Sequence, residues 1–404
     1  MDWQIHARRL ADEVDRPGSR WGAAVADIPR HLLVPRWYQR DQAAGGRVVR
    51  DGAADPEAWL ATAYSDTTLV TRVGALHADD AEPGTVVTSG VSTSSSTEPG
   101  LVVGMYRHAE LTDGCRTLVT TGTGYGTALA CHRLGSDLVT SVDIDPYLVA
   151  SATDRLASFG LRPKTAVCDL TQGPLPGQYD RIVSTVSVPA IPAAWLKALR
   201  PGGRLVTTIT GTGLILYADK TPDGGALGRT AYEPASFMGA RQGDDYEETV
   251  PASVWDEAKY GDGEPSVSRH LLVFVPETWS VRSMLQLHAP GIEHRRRWYP
   301  DRGHTVWMTH PDGSWARAHA AAPPGSPHRV PGRPAPPVGL PGGHPRPPQL
   351  DGRVARVRRP RHHHPRWRDH PHSRELAGRS VAHLTRFLLR PRGPKPCSGA
   401  QLLV

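Results

Sequence analysis

Between residues 100 and 210 the apolar positions alternate between short continuous runs and longer sets at helical spacing. The runs "RTLVTT", "LVTSVDI", "KTAVCD", "YDRIVSTV" and "GGRLVTTIT" predict strands. The sets "GLVVGMYRHAEL", "YGTALACHRL", "PYLVASATDRLASFG" and "IPAAWLKAL" predict helices, the third ending at Gly160. Short apolar strands separated by helices of about ten to fifteen residues predict a parallel, doubly wound α/β sheet. One crossover lacks a helix, and "LTQGPLPGQ" must make that connection. Before this block, Trp3, Leu10 and Val14 among charges suggest a short amphipathic helix, and "DIPRHLLVPRWY" reads as an extended, packed segment bracketed by prolines. Residues 76–98, ending in "SGVSTSSSTEPG", read as a loop at a candidate active site; a linker is the bland alternative. After the block, "HLLVFVPETW" and "TVWMTHPDGSWARA" predict strands, the latter a hairpin around Pro311-Asp312-Gly313.

These patterns divide the chain into an N-terminal helical and extended segment on the substrate side (1–90), an α/β domain (91–215), a β-rich accessory region (216–317) and a low-complexity tail (318–404). The tail carries 17 of the 38 prolines and cannot bury enough apolar surface to fold, so it is expected to be disordered.

Charge changes this picture in one respect. The 404 residues hold 47 Lys+Arg and 40 Asp+Glu, a net charge of +7, which suggests a nucleic-acid partner. Residues 321–404, however, carry 16 basic and 3 acidic residues, leaving 31 basic and 37 acidic in the remainder. The body is therefore net acidic, and nucleic acid is not a favoured partner for it. The four cysteines are scattered, with no CxxC pair and no metal-ligand spacing, which fits a reducing cytoplasm and no structural metal. No stretch approaches 18 apolar residues, so no membrane span is expected.

The chemistry concentrates in "LVTTGTGYGTALA" (118–130), a glycine turn between a predicted strand and helix. Gly122, Thr123, Gly124 and Tyr125 are its candidate ligand-binding residues, because backbone must approach a ligand closely there. Asp143 ends the next strand 21 residues after Gly122, the separation at which a carboxylate reaches ribose hydroxyls, and Asp169 ends the third strand beside an expected adenine edge. Both could equally cap turns. A dinucleotide would prefer G-x-G-x-x-G and place its pyrophosphate on the helix N-terminus. Here the spacing is G-x-G-x-G and the helix start carries no basic residue, so S-adenosyl-L-methionine, which has no phosphates, fits better. Two departures predict weaker binding: Thr120 replaces the first glycine of the usual triplet, and Leu118 replaces the acid that often ends the strand. Glu98 or a backbone carbonyl is the expected substitute for that acid.

Taken together, "IPRHLLVP" (28–35), "AYSD" with "TLV" close behind, "STEPGLVVGM" (96–105), the glycine loop, "YDRIVSTV" and "PAIPAAWLKALRPGGRLV" (189–206) resemble the protein-L-isoaspartate (D-aspartate) O-methyltransferase family, in that family's order over roughly residues 20–212. The region after 212 resembles actinobacterial relatives that work on ribosomally made peptides. The resemblance implies a Rossmann-like class I methyltransferase that moves a methyl group from S-adenosylmethionine to an isoaspartyl or aspartyl carboxylate, on a protein or a precursor peptide. It places Gly122, Gly124 and Asp143 on cofactor positions, Asp169 with them, and Thr97 at the hydroxyl position near the acceptor carboxylate, where Glu98 departs from the usual Gln.

A carboxylate is already ionised at neutral pH, so the reaction needs alignment rather than a base. On this ground His31 is expected to be structural. The competing readings are a methyltransferase with another acceptor and a degenerate methyltransferase scaffold whose arginine-rich tail binds nucleic acid. The Arg, Pro, Ala, Gly and His content of 321–404 is also what GC-rich DNA yields when read out of frame. A frame change near residue 320 is therefore a further expectation, which the DNA sequence tests.

Overall fold

The computed structural model describes residues 2–16, 19–243, 250–268, 272–299, 303–320, 352–356 and 387–389. They fall into two units, Met1–Glu247 with Val381–Val404, and Glu248–Ser380.

The first unit opens with helix α1 (Trp3–Val14), capped by the Asp2 carboxylate, which accepts from the Gln4 N–H. Its buried positions, Ala7, Leu10, Ala11 and Val14, recur at three and four residues and form one apolar stripe. Short helices α2 (Gly22–Asp27) and α3 (Arg30–Leu33) follow, so one helical turn interrupts the segment expected to be extended. The chain then builds a small antiparallel sheet from β1 (Arg36–Asp41), β2 (Gly46–Asp51), β3 (Leu69–Val73), β4 (Leu76–His77), β5 (Val86–Val87) and β6 (Ser92–Ser96), with α4 (Pro56–Ala63) between β2 and β3. The serine-rich run read as loop is thus partly a strand. Its hydroxyls find partners in the ladder: Thr71 Oγ1 donates to Ser94 Oγ at 3.2 Å and Thr93 Oγ1 to the Gly74 carbonyl at 2.7 Å. Composition suggested solvation, but these hydroxyl groups are buried and satisfied.

The main sheet is the doubly wound one. Helix α5 (Pro99–His108), with proline at its first position, leads to β7 (Thr117–Thr120), α6 (Tyr125–Leu134), β8 (Val139–Asp143), α7 (Pro146–Ser158), β9 (Lys164–Val167), β10 (Tyr179–Val183), α8 (Ala193–Ala198), β11 (Leu199–Ile209), β12 (Leu214–Lys220) and β13 (Ala226–Pro234). The order is β13-β12-β11-β10-β7-β8-β9; β7 to β11 are parallel, and β12 and β13 are antiparallel. The order reverses between β7 and β10, and a crevice opens beyond the strand ends at such a switch point. The expected boundary at 215 falls inside β12. Leu214, Ile215, Leu216 and Ala218 are buried and pair with β11, so the sheet runs on to Pro234 and its unit to Glu247.

The second unit carries α9 (Ala252–Tyr260), β14 (Glu264–Ser268), α10 (Trp279–His288), β15 (Glu293–Tyr299), β16 (Gly303–Thr309), β17 (Trp315–Ala320) and β18 (Gly352–Arg356). Its sheet order is β14-β18-β17-β16-β15, all antiparallel. The expected hairpin closes at Gly313 (φ +87°), with the His310 N–H donating to the Ser314 carbonyl at 2.9 Å. Of the strand expected at "HLLVFVPETW", the first two residues lie outside the described residues; residues 275–277 form a single 3₁₀ turn around Pro276 and α10 begins at Trp279. Of the expected tail, only β18 and β19 (Phe387–Leu389, paired with β13) and the last residues of β17 are described; the rest of the low-complexity and frame-change expectations lie outside the described residues. Among the described residues no helix is long and apolar enough to cross a membrane.

Candidate functional site

A cavity enclosing about 960 Å³ of space open to solvent lies beyond the carboxyl ends of β7, β8 and β9. Its wall includes Thr97, Thr120, Gly122, Asp143 and Asp169, so three of the strand-end residues singled out by spacing meet the acceptor-side threonine in one place.

Asp143 is the joint between the glycine turn and the end of β8. Its Oδ2 accepts the Gly122 N–H at 3.0 Å and its Oδ1 accepts the Asp145 N–H at 3.2 Å. Burial pushes its carboxyl above the ordinary value, against the pull of those two N–H donors and of Arg241. The three glycines do different work. Gly122 (φ +49°) edges the cavity, and a Cβ on it would lie 3.3 Å from the Ser95 carbonyl oxygen. Gly124 (φ +90°) starts α6 in the left-handed region and approaches α7, where a Cβ would come within 3.1 Å of Ala152 Cβ. Gly126 leaves room for the Tyr106 hydroxyl, which donates to its carbonyl at 2.7 Å.

Thr123 and Tyr125 are not on the main wall. They line a smaller cavity that shares Ser95, Thr97, Thr120, Gly122 and Thr185 with the larger one. The Tyr125 ring lies 5.2 Å from the Arg30 guanidinium, and burial pushes its phenol well above the ordinary value. Asp169 edges the cavity, and its Oδ1 accepts the Thr171 N–H at 2.7 Å and the Thr171 hydroxyl at 2.6 Å, which makes it the turn cap that was one of the two readings offered for it.

The two departures in the glycine motif prove unequal. Leu118 is fully buried in the core with Val142, Ile182 and Leu205, so an acid there would face apolar side chains rather than the cavity. Thr120 is the strand-end residue that faces it. Its hydroxyl lies 2.7 Å from that of Thr185 and accepts the Thr185 N–H at 2.9 Å, tying β7 to β10 rather than narrowing the loop. Glu98 does not line the cavity and supplies no substitute acid; it precedes α5, its N–H donates to Thr68 Oγ1 at 3.1 Å, and burial pushes its carboxyl up.

Two contributors escaped the sequence reading. Residues 236–241, assigned to the accessory region, close one side of the cavity. They are held by Ser187, whose N–H donates to the Met238 carbonyl and whose carbonyl accepts the Ala240 N–H, both at 2.8 Å. Arg30 is the other. It is fully buried within "IPRHLLVP", and a charge inside an apolar run between prolines was the available signal. His31, beside it, holds its Nδ1 2.7 Å from the Tyr64 hydroxyl among Trp3 and Trp59, and burial lowers its pKa to about 4. It is a neutral ring in an aromatic cluster.

The arrangement discriminates between cofactors. The Gly122 N–H is taken by a carboxylate and the Gly124 N–H by the Thr121 carbonyl at 2.8 Å, so the loop offers neither of these donors to a phosphate, and Asp143 would repel one. A ligand with hydroxyls for Asp143 and Asp169 and a flat apolar part for Ile144, Leu148 and Leu170 fits the cavity. Among the described residues no group of three or more His, Cys, Asp or Glu could hold a metal ion.

Comparison with known proteins agrees in kind. The family model described as protein-L-isoaspartate(D-aspartate) O-methyltransferase matches residues 63–236. The protein-L-isoaspartate O-methyltransferase 1 of Archaeoglobus fulgidus is 28% identical over 225 residues, covering 55% of this chain and 85% of that protein. The protein-L-isoaspartate O-methyltransferase of Thermococcus onnurineus is 34% identical over 115 residues, 28% of this chain and 52% of that protein, so the chain spans about half the length of that relative. Among solved structures, a putative protein-L-isoaspartate O-methyltransferase from Plasmodium falciparum in complex with S-adenosyl-L-homocysteine is 12% identical, covering 59% of this chain and 99% of that one with a TM-score of 0.41.

Proposed function

We propose, from the match of residues 63–236 to the protein-L-isoaspartate(D-aspartate) O-methyltransferase family model, that this chain is a cytoplasmic, S-adenosyl-L-methionine-dependent carboxyl O-methyltransferase acting on L-isoaspartyl or aspartyl residues of proteins or of a ribosomally made peptide. The observation that carries the reading is that Thr97 and the Asp143–Gly122 joint line one cavity, with the Gly122 and Gly124 N–H groups already paired.

When bound, S-adenosylmethionine supplies a sulfonium-activated methyl group. Asp143 and Asp169 would hold its ribose and adenine. Thr97, opposite, offers a hydroxyl to orient an acceptor carboxylate. That carboxylate needs no deprotonation, so the chain acts by alignment and by excluding water; in ideal intramolecular models such positioning is worth about 7–11 kcal/mol. The methyl ester so formed is open to attack by the following backbone nitrogen, which expels methanol and closes a succinimide. In a damaged protein, hydrolysis of that ring partly restores aspartate; in a peptide, the ring itself can be the product.

The test is isothermal titration with S-adenosylmethionine, followed by methyl transfer to matched peptides carrying isoaspartate, aspartate, a hydroxyl or an amine. Binding together with base-labile methylation of the isoaspartyl or aspartyl peptide is expected. Methylation confined to the hydroxyl or amine peptide would replace the acceptor, and no binding by the folded protein would remove the cofactor.

A further inference from the structure

The three motifs that come before the glycine loop in sequence, "IPRHLLVP", "AYSD" and "STEPG", meet at one buried cation. Arg30 Nη1 donates to the carbonyls of Ala63 and Ser65, both at 2.9 Å. Its Nη2 donates to the carbonyls of Thr67 at 2.9 Å, Ser96 at 3.3 Å and Thr97 at 3.1 Å, and its Nε to the Ser96 hydroxyl at 3.3 Å. None of these partners is a carboxylate. The carbonyls belong to the end of α4, the turn before β3, the end of β6 and Thr97 itself; that of Ser65 also accepts the Thr67 N–H at 2.8 Å, and Ser96 stands opposite Leu69 in the β3–β6 ladder. Burying a guanidinium with no carboxylate bonded to it is costly; burial lowers its pKa to about 10 against the longer-range pull of charges such as Asp66 and Glu98, which still leaves it charged at neutral pH.

We propose that Arg30 is a positioning residue for the acceptor side of the site: its planar fork gathers residues 63–67 and 96–97 and thereby sets where the Thr97 hydroxyl points into the cavity. The inference rests on the methyltransferase reading. The far side of the same segment is fixed independently, by Asp66 Oδ1 accepting the Gly100 N–H at 2.7 Å and Thr68 Oγ1 accepting the Glu98 N–H at 3.1 Å. Thr97 is therefore clamped between a buried cation on one side and two local bonds on the other. Lysine keeps the charge but has three donors on a point rather than five in a plane, so it cannot serve the same set of carbonyls.

The test compares Arg30→Lys, Arg30→Met, Thr97→Val and the Arg30→Lys/Thr97→Val double variant in the full chain, by titration with S-adenosylmethionine and by steady-state methylation of an isoaspartyl peptide. Arg30→Lys is expected to bind cofactor within about threefold of wild type, because Asp143 builds that side, while kcat falls by up to about 100-fold, as a displacement near 1 Å can produce. In the Thr97→Val background the same change is expected to cost less than about threefold, because the hydroxyl it positions is gone. Equal multiplicative losses in both backgrounds, cofactor affinity lost in parallel with turnover, or full activity in Arg30→Lys would each overturn the proposal. Amide hydrogen exchange supplies a readout independent of turnover: Arg30→Lys is expected to speed exchange in 63–68 and 95–100 but not in 118–124, and a uniform increase would mark Arg30 as a general fold anchor. Arg30→Met is expected to amplify the pattern; should it not fold, the lysine variant decides. A wild-type chain inactive on every carboxylate acceptor sinks the carboxyl-methyltransferase reading, and with it the carboxylate for which Arg30 positions Thr97, whereas loss confined to the Arg30 variants leaves that reading standing.

Discussion

The two walls of the cavity are built by different physics. On the cofactor side, Asp143, Gly122 and Asp145 are joined by short loops at neighbouring strand ends, and the bond between Gly122 and Asp143 spans 21 residues. On the Thr97 side, the bonds of Arg30 span 33 to 67 residues and join the end of α4 and the turn before β3 to the end of β6. The first wall follows from sheet topology, since adjacent parallel strands bring their loops together; in the second, one buried charge gathers carbonyls from several segments of chain. The difference suggests that the two sides can be disabled separately.

Asp143→Ala is the strongest way to break that separation. It removes a buried carboxylate holding two backbone N–H groups, and with charge-assisted bonds worth about 1.5–3 kcal/mol each, S-adenosylmethionine affinity is expected to fall by about 100-fold or more in calorimetry. Thr97→Val should do the reverse, lowering methylation turnover by about 10- to 100-fold while leaving cofactor affinity within about threefold. A comparable loss of affinity in both variants would mean the walls act as one.

A pH experiment probes the joint between the small sheet and β8. Asp145 lies 3.1 Å from His77 Nε2 and 3.5 Å from Arg72 Nη1. Burial alone would raise its carboxyl, but the bond and charge of His77, with Arg72 and the Tyr147 N–H, prevail and hold it at about 2. A folded-state value below the unfolded one contributes stability that is present above the unfolded pKa and lost as pH falls through the folded one. The expected contribution is about 2 kcal/mol, disappearing between about pH 4 and pH 2. Denaturant titrations of wild type and Asp145→Asn should converge across that window; a constant gap would remove Asp145 as the source.

The smallest effect is expected at Thr120. Replacement by Val deletes the tie to Thr185, costing about 1 kcal/mol, and a unit of this size should lose about 2–4 °C in Tm. Cofactor affinity that rises or falls sharply in Thr120→Val would show instead that the hydroxyl contacts the ligand.

Much of the first unit was legible along the chain. The alternation between 100 and 210 predicted the parallel sheet because strands buried between helices must be continuous apolar runs, and the Gly122-to-Asp143 separation predicted their meeting because a βαβ unit has a nearly constant length. Other features misled for physical reasons. The "STSSS" run looked like a solvated loop, since composition does not reveal that a neighbouring strand supplies partners for its hydroxyls. Leu118 looked like a missing acid because counting along a motif does not say which face of a strand a residue occupies. Thr123 lies on the loop and Tyr125 opens α6, yet both line the smaller cavity.

The sequence by itself determined the doubly wound core, the glycine turn and the strand-end acids, because these depend on periodicity and on separations of a few tens of residues. Tertiary structure alone decided that β12 and β13 extend the sheet past the expected boundary, that residues 236–241 close the cavity, and that Arg30 sits beneath Thr97. Each of those depends on segments distant in sequence sharing one buried volume, where unpaired polar groups must find partners, and that condition has no signature in any single stretch of chain.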